Sequence, residues 1–555
     1  MSESAPYYPI ILVRGFDRNR DCIGDPYYGF NDGTVYYRET HHNRIYEGFV
    51  INFLKDEKHG YIDTSNVILF GEATQNNNFH SFEVNEIMKK NFIESNVLPQ
   101  DETEENKKAM KTFWIFRYYD AIEQGKLDAK NVKLIPYFAR ELHRFIFAVK
   151  KITGAEKVNI IAHSMGGVIT RHVVQRRFSC KPVKEAEQHI HKVITMGSPL
   201  LGVEKLPLWA VSETYMVFAR EDERDAMNPD YISDNPTQVN KENCPFSLPV
   251  SKKRDSGGKT YGLGGAEINP QFNPKRWLCI VGTRWEDYEP SKFGLFNKFL
   301  TRGKGSDGLI LQSEAKLKDA PIAYLHKTHA GYDSLMTCRE TYETATRFFF
   351  GDYWVELVLE KDSRIINFNS NYEYHLGCSI KTRDLDFYLT RQDYESVNCQ
   401  RLHDPDEKVN RIDTRTGGLK DEDEEEDFIL YAGALDLLRS KSKDNTMMFR
   451  VDIKCYSEAA PSKRDKNSDK NNNECLGHSD NLAFSFQIIV EADIKATEIL
   501  WCCCSEDEYV ELRPHLEPYE FTKDDTTGDL SISGLPLYAE GRFDGSCKLT
   551  VRNRT

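Results

Sequence analysis

Residues 157–170 read KVNIIAHSMGGVIT, where a run of strand-forming residues meets a run of helix-forming residues at one serine. The run 157–161 is apolar and short, as in a strand that is buried on both faces. The residues around the serine are small: Ala162, Gly166 and Gly167. A strand that turns sharply into a helix needs small neighbours, because the two elements approach closely, and it exposes the intervening side chain above the sheet. This stretch therefore predicts a strand, a tight turn that presents Ser164, and a helix.

Further apolar runs on either side of this stretch predict other buried strands. They cover residues 9–13, 113–119, 192–196 and 277–281. Between the second run and the serine, apolar residues recur at helical spacing and predict one helix face: Phe138, Leu142, Phe145 and Val149. Strands that alternate with helices favour a largely parallel sheet that is covered by helices.

The hydrophobic period changes to two beyond about residue 352. Residues 482–490 alternate strictly between an apolar and a mixed face, and residues 354–359, 449–453 and 548–551 are similar. Alternation of this kind predicts antiparallel strands with one buried face. We therefore expect two domains, 1–351 and 352–555, of which the second is a β-sandwich-like accessory domain.

Composition excludes several classes of protein. The 555 residues carry a net charge of -14, and no basic cluster stands out, so nucleic acid is not expected as a partner. No apolar run is long enough to span a bilayer, and the N-terminal residues do not resemble a secretory signal. Thirteen irregularly spaced cysteines do not resemble a disulfide framework, which favours a reducing compartment. The expected location is the cytoplasm, with later delivery by a route that needs no cleavable leader left open.

The stretch AHSMGG, residues 162–167, resembles the nucleophile elbow of α/β-hydrolase lipases, in which alanine often replaces the first glycine. The resemblance covers roughly residues 8–350 and includes the loop Gly197-Ser198-Pro199 that follows the elbow helix. It implies an α/β-hydrolase fold for residues 1–351, with a mostly parallel central sheet and lid-type insertions. It also implies that Ser164 is the nucleophile and that the backbone N–H of Met165 contributes to an oxyanion hole.

A serine nucleophile needs a base and an acid, which follow it along the chain in this fold. Asp307, in the sequence Gly-Ser-Asp-Gly, resembles the lipase aspartate, and His329 resembles the histidine of the lipase His-Ser-Gly loop. Asp287 and His326 are the alternatives for acid and base. We predict that Asp307 is the acid and that His329 is the base.

The second oxyanion donor of this family comes from the loop after an early strand. Arg14-Gly15 stands where lipases commonly carry His-Gly, so the position implies the N–H of Phe16 as the donor. Arg14 adds a charge that the usual motif lacks. It could recognise an anionic group or pair with a neighbouring carboxylate, and the sequence leaves both open.

Two long insertions interrupt the hydrolase pattern, at about 17–110 and 203–275. In the second, four apolar residues form one helical stripe that could be a lid over acyl chains or could pack in the core. They are Leu208, Val211, Tyr215 and Phe218, with Trp209 nearby.

The sequence predicts a serine carboxylic-ester hydrolase, a lipase or phospholipase that acts on lipid acyl esters through an acyl-enzyme. The alternatives are a non-catalytic scaffold on a retained hydrolase fold, and an acyltransferase or thioesterase. We expect no cofactor and no metal, although Cys455, Cys475 and His478 fall in one region without a repeated C-x-x-C pair. The accessory domain is expected to place the enzyme on a membrane surface or a protein partner. The alternative is that it rigidifies the catalytic domain.

Overall fold

The computed structural model consists of a parallel sheet with its helices, followed by two antiparallel sheets. It describes residues 7–15, 49–64, 110–116, 134–174, 185–201, 272–284, 305–317, 319–330, 334–383, 385–392, 400–404, 409–410, 428–436, 446–459, 482–493, 497–504 and 516–554.

The first sheet has seven strands in the order β2-β3-β1-β4-β5-β6-β7, and every neighbouring pair is parallel. Its strands are β1 (Ile10–Val13), β2 (Ile62–Asp63), β3 (Thr112–Ile115), β4 (Val158–His163), β5 (Ile190–Met196), β6 (Trp277–Gly282) and β7 (Ile322–Leu325). The helices are α1 (Phe49–Lys55), α2 (Leu134–Thr153), α3 (Met165–His172), α4 (Glu185–His189) and α5 (Arg339–Phe350), with a 3₁₀ turn at Pro274–Arg276.

Both faces of the parallel sheet are buried, which explains why its strands read as continuous apolar runs. Successive side chains of a strand point to opposite faces. In β1, Ile11 and Val13 pack in the cluster that contains α2 and α3, whereas Ile10 and Leu12 pack in the cluster that contains α1 and α5. The predicted face of α2 is buried at all four positions. The expected α/β architecture is therefore confirmed.

The chain beyond α5 forms two packed antiparallel sheets. One has the order β12-β11-β10-β14-β15-β16-β17, and the other has the order β13-β8-β20-β19-β18, with β9 paired to β20. The strands are β8 (Tyr353–Leu359), β9 (Arg364–Ile365), β10 (Tyr372–Thr382), β11 (Gln400–Asp404), β12 (Val409–Asn410), β13 (Phe428–Leu435), β14 (Thr446–Ala459), β15 (Leu482–Asp493), β16 (Glu498–Cys504), β17 (Glu517–Glu520), β18 (Thr522–Lys523), β19 (Leu530–Ala539) and β20 (Phe543–Asn553). One apolar cluster fills the space between the sheets, which confirms the predicted sandwich.

Strand β15 shows how far the period-two pattern holds. Phe484, Phe486 and Ile488 lie in the core between the two sheets, as the alternation predicts. Leu482 belongs to the same face by sequence, yet it is 44% exposed at the end of the strand. The apolar face is thus shorter than the pattern.

Helix α5 joins the two parts of the molecule. Tyr342 and Phe348 of α5 pack against the parallel sheet, and Trp354 and Ala434 of the sandwich enter the same cluster. The buried Lys192 of β5 donates from Nζ to the carbonyl oxygens of Phe348 and Phe349, at 3.0 and 2.8 Å, where the helix dipole is negative. Burial, with the nearby charges of Arg554 and Arg276, lowers the pKa of Lys192 well below its usual value.

The expected division at 351/352 falls between the end of α5 and the start of β8, and independent folding of the two parts stays a prediction. Of the predicted insertions, α1 and β2 lie in the first, whereas the candidate lid residues lie outside the described residues. Strand β7 and helix α5 had no sequence prediction. None of the helices in the described ranges is both long and apolar enough to cross a membrane.

Candidate active site

Ser164 lies in the turn between β4 and α3, with backbone angles of φ 52° and ψ -127°. A positive φ is uncommon for a residue with a side chain and marks a strained backbone. The Ser164 N–H donates to the carbonyl oxygen of Met196 at 3.0 Å, which ties the turn to the end of β5. The Ser164 side chain is half-buried. The local geometry is the sharp strand-to-helix turn that the sequence predicts.

Glycines allow the neighbouring segments to reach this turn. A Cβ at Gly15, just after β1, would lie 2.6 Å from Ser164 Cβ. A Cβ at Gly166 would overlap the carbonyl oxygen of Val13, and one at Gly167 would overlap the side chain of Ser198. The loop after β1 therefore packs directly on the serine turn, at the carboxyl end of the parallel strands.

Asp307 and His329 form a buried pair in the loops on either side of β7. His329 Nδ1 lies 2.8 Å from Asp307 Oδ2, and the two residues are 3% and 1% exposed. The other carboxylate oxygen accepts hydrogen bonds from the N–H groups of Leu309 and Ile310, at 3.0 and 2.8 Å. An aspartate held in this way orients the imidazole and leaves Nε2, on the opposite side of the ring, for proton transfer.

The backbone also holds this pair in register. The His329 N–H donates to the Asp307 carbonyl oxygen at 2.8 Å. Asp307 lies within a turn that spans Gly305 to Gln312. In that turn the Gln312 N–H donates to the Gly305 carbonyl oxygen. The Asp307 carboxylate accepts hydrogen bonds from backbone amides of the same turn, as aspartate side chains commonly do.

Two further glycines pack against the pair. Gly197, directly after β5, has a φ of 51°, and a Cβ there would lie 2.6 Å from Asp307 Oδ2 and 3.0 Å from His329 Nδ1. A Cβ at Gly282, at the end of β6, would lie 2.6 Å from Asp307 Cβ. The sequence showed each glycine at the end of an apolar run, but it gave no indication that both approach the same carboxylate.

His163, the residue before the serine, contacts His329 directly. Its Nε2–H donates to the His329 carbonyl oxygen at 2.9 Å, and the two ring centroids are 4.7 Å apart. Burial, followed by the charges of His329 and Arg14, lowers the pKa of His163 well below its usual value. A neutral ring that donates from Nε2 must be unprotonated at Nδ1, so the tautomer is fixed. The sequence did not single out His163.

The alternative base does not share this environment. His326 is exposed, and its Nδ1 lies 3.3 Å from Thr283 Oγ1. The alternative acid, Asp287, lies outside the described residues, as does Phe16, the expected second oxyanion donor. Met165, the expected first donor, is the first residue of α3.

Arg14 is 6% exposed and lies close enough to influence the pKa of His163. Among the described residues there is no group of three or more histidine, cysteine or acidic side chains that could hold a metal ion. Of the residues considered for zinc, Cys455 is buried in β14, and Cys475 and His478 lie outside the described part of the chain.

Residues 128–203 match the family model of class 2 lipases. This range contains α2, β4, the serine turn, α3 and β5. The match confirms the lipase resemblance over these residues and supports a lipase-like hydrolase. Among solved structures, the chain is similar to the crystal structure of the product of gene lin2722 from Listeria innocua. The identity is 12%, the TM-score is 0.27, and the alignment covers 62% of this chain and 93% of that chain. No curated protein matches the chain.

Proposed function

We propose that this protein is a serine carboxylic-ester hydrolase that cleaves lipid acyl esters through an acyl-enzyme. One observation carries the proposal: Ser164 occupies a strained strand-to-helix turn at the carboxyl ends of the parallel strands, where the buried Asp307–His329 pair also lies. A serine on such a turn, with a histidine held by a carboxylate, is the arrangement that activates a hydroxyl for attack. His326 is exposed and lies beside Thr283, whereas Asp287 lies outside the described residues, so the proposal uses Asp307 and His329.

The residues have the following roles. Nε2 of His329 accepts the proton of the Ser164 hydroxyl as Oγ bonds to the ester carbonyl carbon. The Asp307 carboxylate stabilises the imidazolium that forms, and it does not take the proton. The backbone N–H groups of Met165 and Phe16 hold the negative oxygen of the tetrahedral intermediate. The C–O bond to the alcohol then breaks, and the alcohol leaves with the proton of His329.

Water completes the cycle by the same route. His329 takes a proton from water, the hydroxide attacks the acyl carbon, and the bond to Ser164 Oγ breaks as the proton returns to the serine. The carboxylic acid is released. His163, whose lowered pKa keeps it neutral, contributes no second positive charge beside the imidazolium.

The lipid substrate is the finer part of the proposal, and the match of residues 128–203 to class 2 lipases supports it. The candidate lid within 203–275 is proposed to supply apolar surface for the acyl chain. A phospholipase and a neutral-lipid lipase share this chemistry and differ in the alcohol that leaves.

Three measurements test the proposal. Purified protein is incubated with a short-chain aryl ester, with a fluorophosphonate that modifies activated serines, and with mixed lipid vesicles. We expect ester hydrolysis, a fluorophosphonate adduct that maps to Ser164, and loss of one lipid class with release of fatty acid. Ser164→Ala is the matched control and should show none of these effects.

The outcomes separate the alternatives. A folded protein with neither hydrolysis nor an adduct would contradict the proposal and support the scaffold. Transfer of the acyl group to an added alcohol, with little free acid, would favour an acyltransferase. Hydrolysis restricted to acyl thioesters would favour a thioesterase.

A further inference from the structure

Among the residues that the structure describes, strand β7 is the last strand of the parallel sheet, so one of its edges has no neighbouring strand of that sheet there. The sandwich bonds to this edge at Tyr324. The Tyr324 N–H donates to Thr390 Oγ1 at 3.0 Å, and the Tyr324 carbonyl oxygen accepts from the Arg391 N–H at 2.8 Å. Both outward backbone groups of Tyr324 are thus bonded to residues that follow β10.

The segment 389–392 that provides these bonds is itself fixed to the sandwich. The Leu389 N–H donates to the Ile380 carbonyl oxygen at 2.8 Å, and the Ile380 N–H donates to the Thr390 carbonyl oxygen at 2.9 Å. The Cys378 N–H donates to the Gln392 side chain at 2.9 Å. Thr390 is 5% exposed. The segment is thus held to β10 by both backbone and side-chain hydrogen bonds.

The supported strand leads straight to the proposed base. Tyr324 precedes His329 by five residues in the chain, and the intervening turn is held by a bond from the Lys327 N–H to the Leu325 carbonyl oxygen at 2.7 Å. A shift of β7 would therefore move His329 relative to Asp307 and Ser164. Displacements of about 1 Å at a catalytic group cost on the order of 100-fold in rate.

We propose that Thr390 is a positioning residue for the reaction, because it braces β7 and so fixes the loop that carries His329. This inference rests on the proposed function. It gives the sandwich a part in catalysis, whereas the sequence favoured a role as an adaptor only. The two roles can coexist, because the brace uses only residues 389–392 and leaves the other strands of the sandwich available to bind a membrane surface or a protein partner.

The test compares three variants of the full chain. Thr390→Val removes the hydroxyl at almost constant volume, and Thr390→Ser retains it. Thr382→Val is the matched control, since Thr382 is a buried residue of β10 whose Oγ1 has no hydrogen-bond partner among the residues that the structure describes. A cooperative melt establishes that each variant is folded.

We expect Thr390→Val to lower kcat on the order of 10-fold with little change in KM for a soluble aryl ester. Hydrogen exchange at the Tyr324 amide, followed in a peptide that covers residues 321–330, should become several-fold faster, because a bonded amide loses its acceptor. Thr390→Ser and Thr382→Val should behave like the wild type in both measurements. The exchange readout is local, because a uniform loss of stability would raise exchange in peptides throughout the protein and not only in residues 321–330.

Wild-type kcat in a folded Thr390→Val variant would overturn the positioning role, whether or not exchange had changed. Unchanged exchange at Tyr324 would overturn the brace itself. If the wild type hydrolyses no ester, the proposed function fails and the positioning role fails with it. The exchange measurement would then still decide whether Thr390 braces β7.

Discussion

The Nε2–H group of His163 donates a 2.9 Å hydrogen bond to the backbone carbonyl oxygen of His329. The residue next to the proposed nucleophile therefore fixes the loop of the proposed base. The bond needs only the neutral ring, and the low pKa of His163 keeps the ring neutral.

His163 should make the stability of the fold depend on pH. The unfolded side chain titrates near its usual pKa of about 6.5, whereas the folded one has a much lower pKa, so the unfolded state binds more protons below about pH 6.5. The contribution of His163 to stability is thus complete above that pH and is lost as the pH falls. In His163→Asn, which cannot titrate, the free energy of unfolding should fall less steeply between pH 6.5 and 4.5. The difference in slope should be at most about 1.4 kcal/mol per pH unit. Urea melts across this range measure it, and parallel curves for the two proteins would contradict the prediction.

The carboxylate of Asp307 should be needed for turnover but not for folding. Asp307→Asn retains the shape of the side chain but loses the charge that orients and stabilises the imidazolium, so kcat should fall on the order of 10⁴-fold. Kinetics on a soluble ester, beside a thermal melt, measure both effects. The double variant Ser164→Ala, Asp307→Asn should be no slower than Ser164→Ala alone, because the two residues act as one unit. Additive losses would show that they act separately.

The two histidines near the end of β7 should differ sharply. His329→Ala removes the proposed base and should lower kcat by about 10⁵-fold or more. His326→Ala should remain close to the wild type, because His326 is exposed and bonds to Thr283 rather than to Asp307. Steady-state kinetics of both variants decide the point. A severe His326→Ala with a mild His329→Ala would reverse the assignment of the base.

Gly197 offers a test of packing at the pair. Alanine at this position would have an unfavourable positive φ, and its Cβ would press on Asp307 Oδ2 and His329 Nδ1. Gly154→Ala is the control, since Gly154 has a φ of 71° and a Cβ there would have no atom within 4 Å. Both variants should lose about 1–2 kcal/mol of unfolding free energy from backbone strain. Only Gly197→Ala should also lose most of its activity, and equal kcat values in the two variants would count against the geometry of the site.

Local patterns predicted the elements that are long or strongly periodic. The strand and helix around Ser164 and the face of α2 were accessible because each depends on neighbours within a few residues. Strand β7 was not predicted: like β1 and β3 it has only four residues, and its partners, β6 on one side and Thr390 on the other, are distant in the chain.

The candidate site also contains residues that the sequence suggested and contacts that it did not. Asp307 and His329 were suggested by their motifs and their order behind Ser164, and the structure brings them to 2.8 Å, although their catalytic roles remain predictions. The contact of His163 with His329 spans 166 residues of chain, and those of Gly197 and Gly282 with Asp307 bring the ends of β5 and β6 to the turn that precedes β7. Such contacts follow from the order of strands in the sheet, which a single sequence does not give.

The bonds from Thr390 and Arg391 to β7 have a consequence for how the protein is made. Synthesis proceeds from the N-terminus, so all seven strands of the parallel sheet leave the ribosome before residues 389–391 do. During that interval the open edge of β7 is a template for pairing with another nascent chain. The residues that cover this edge of the parallel sheet thus belong to the sandwich. A chain that ends before residue 389 would be released with the edge of β7 exposed.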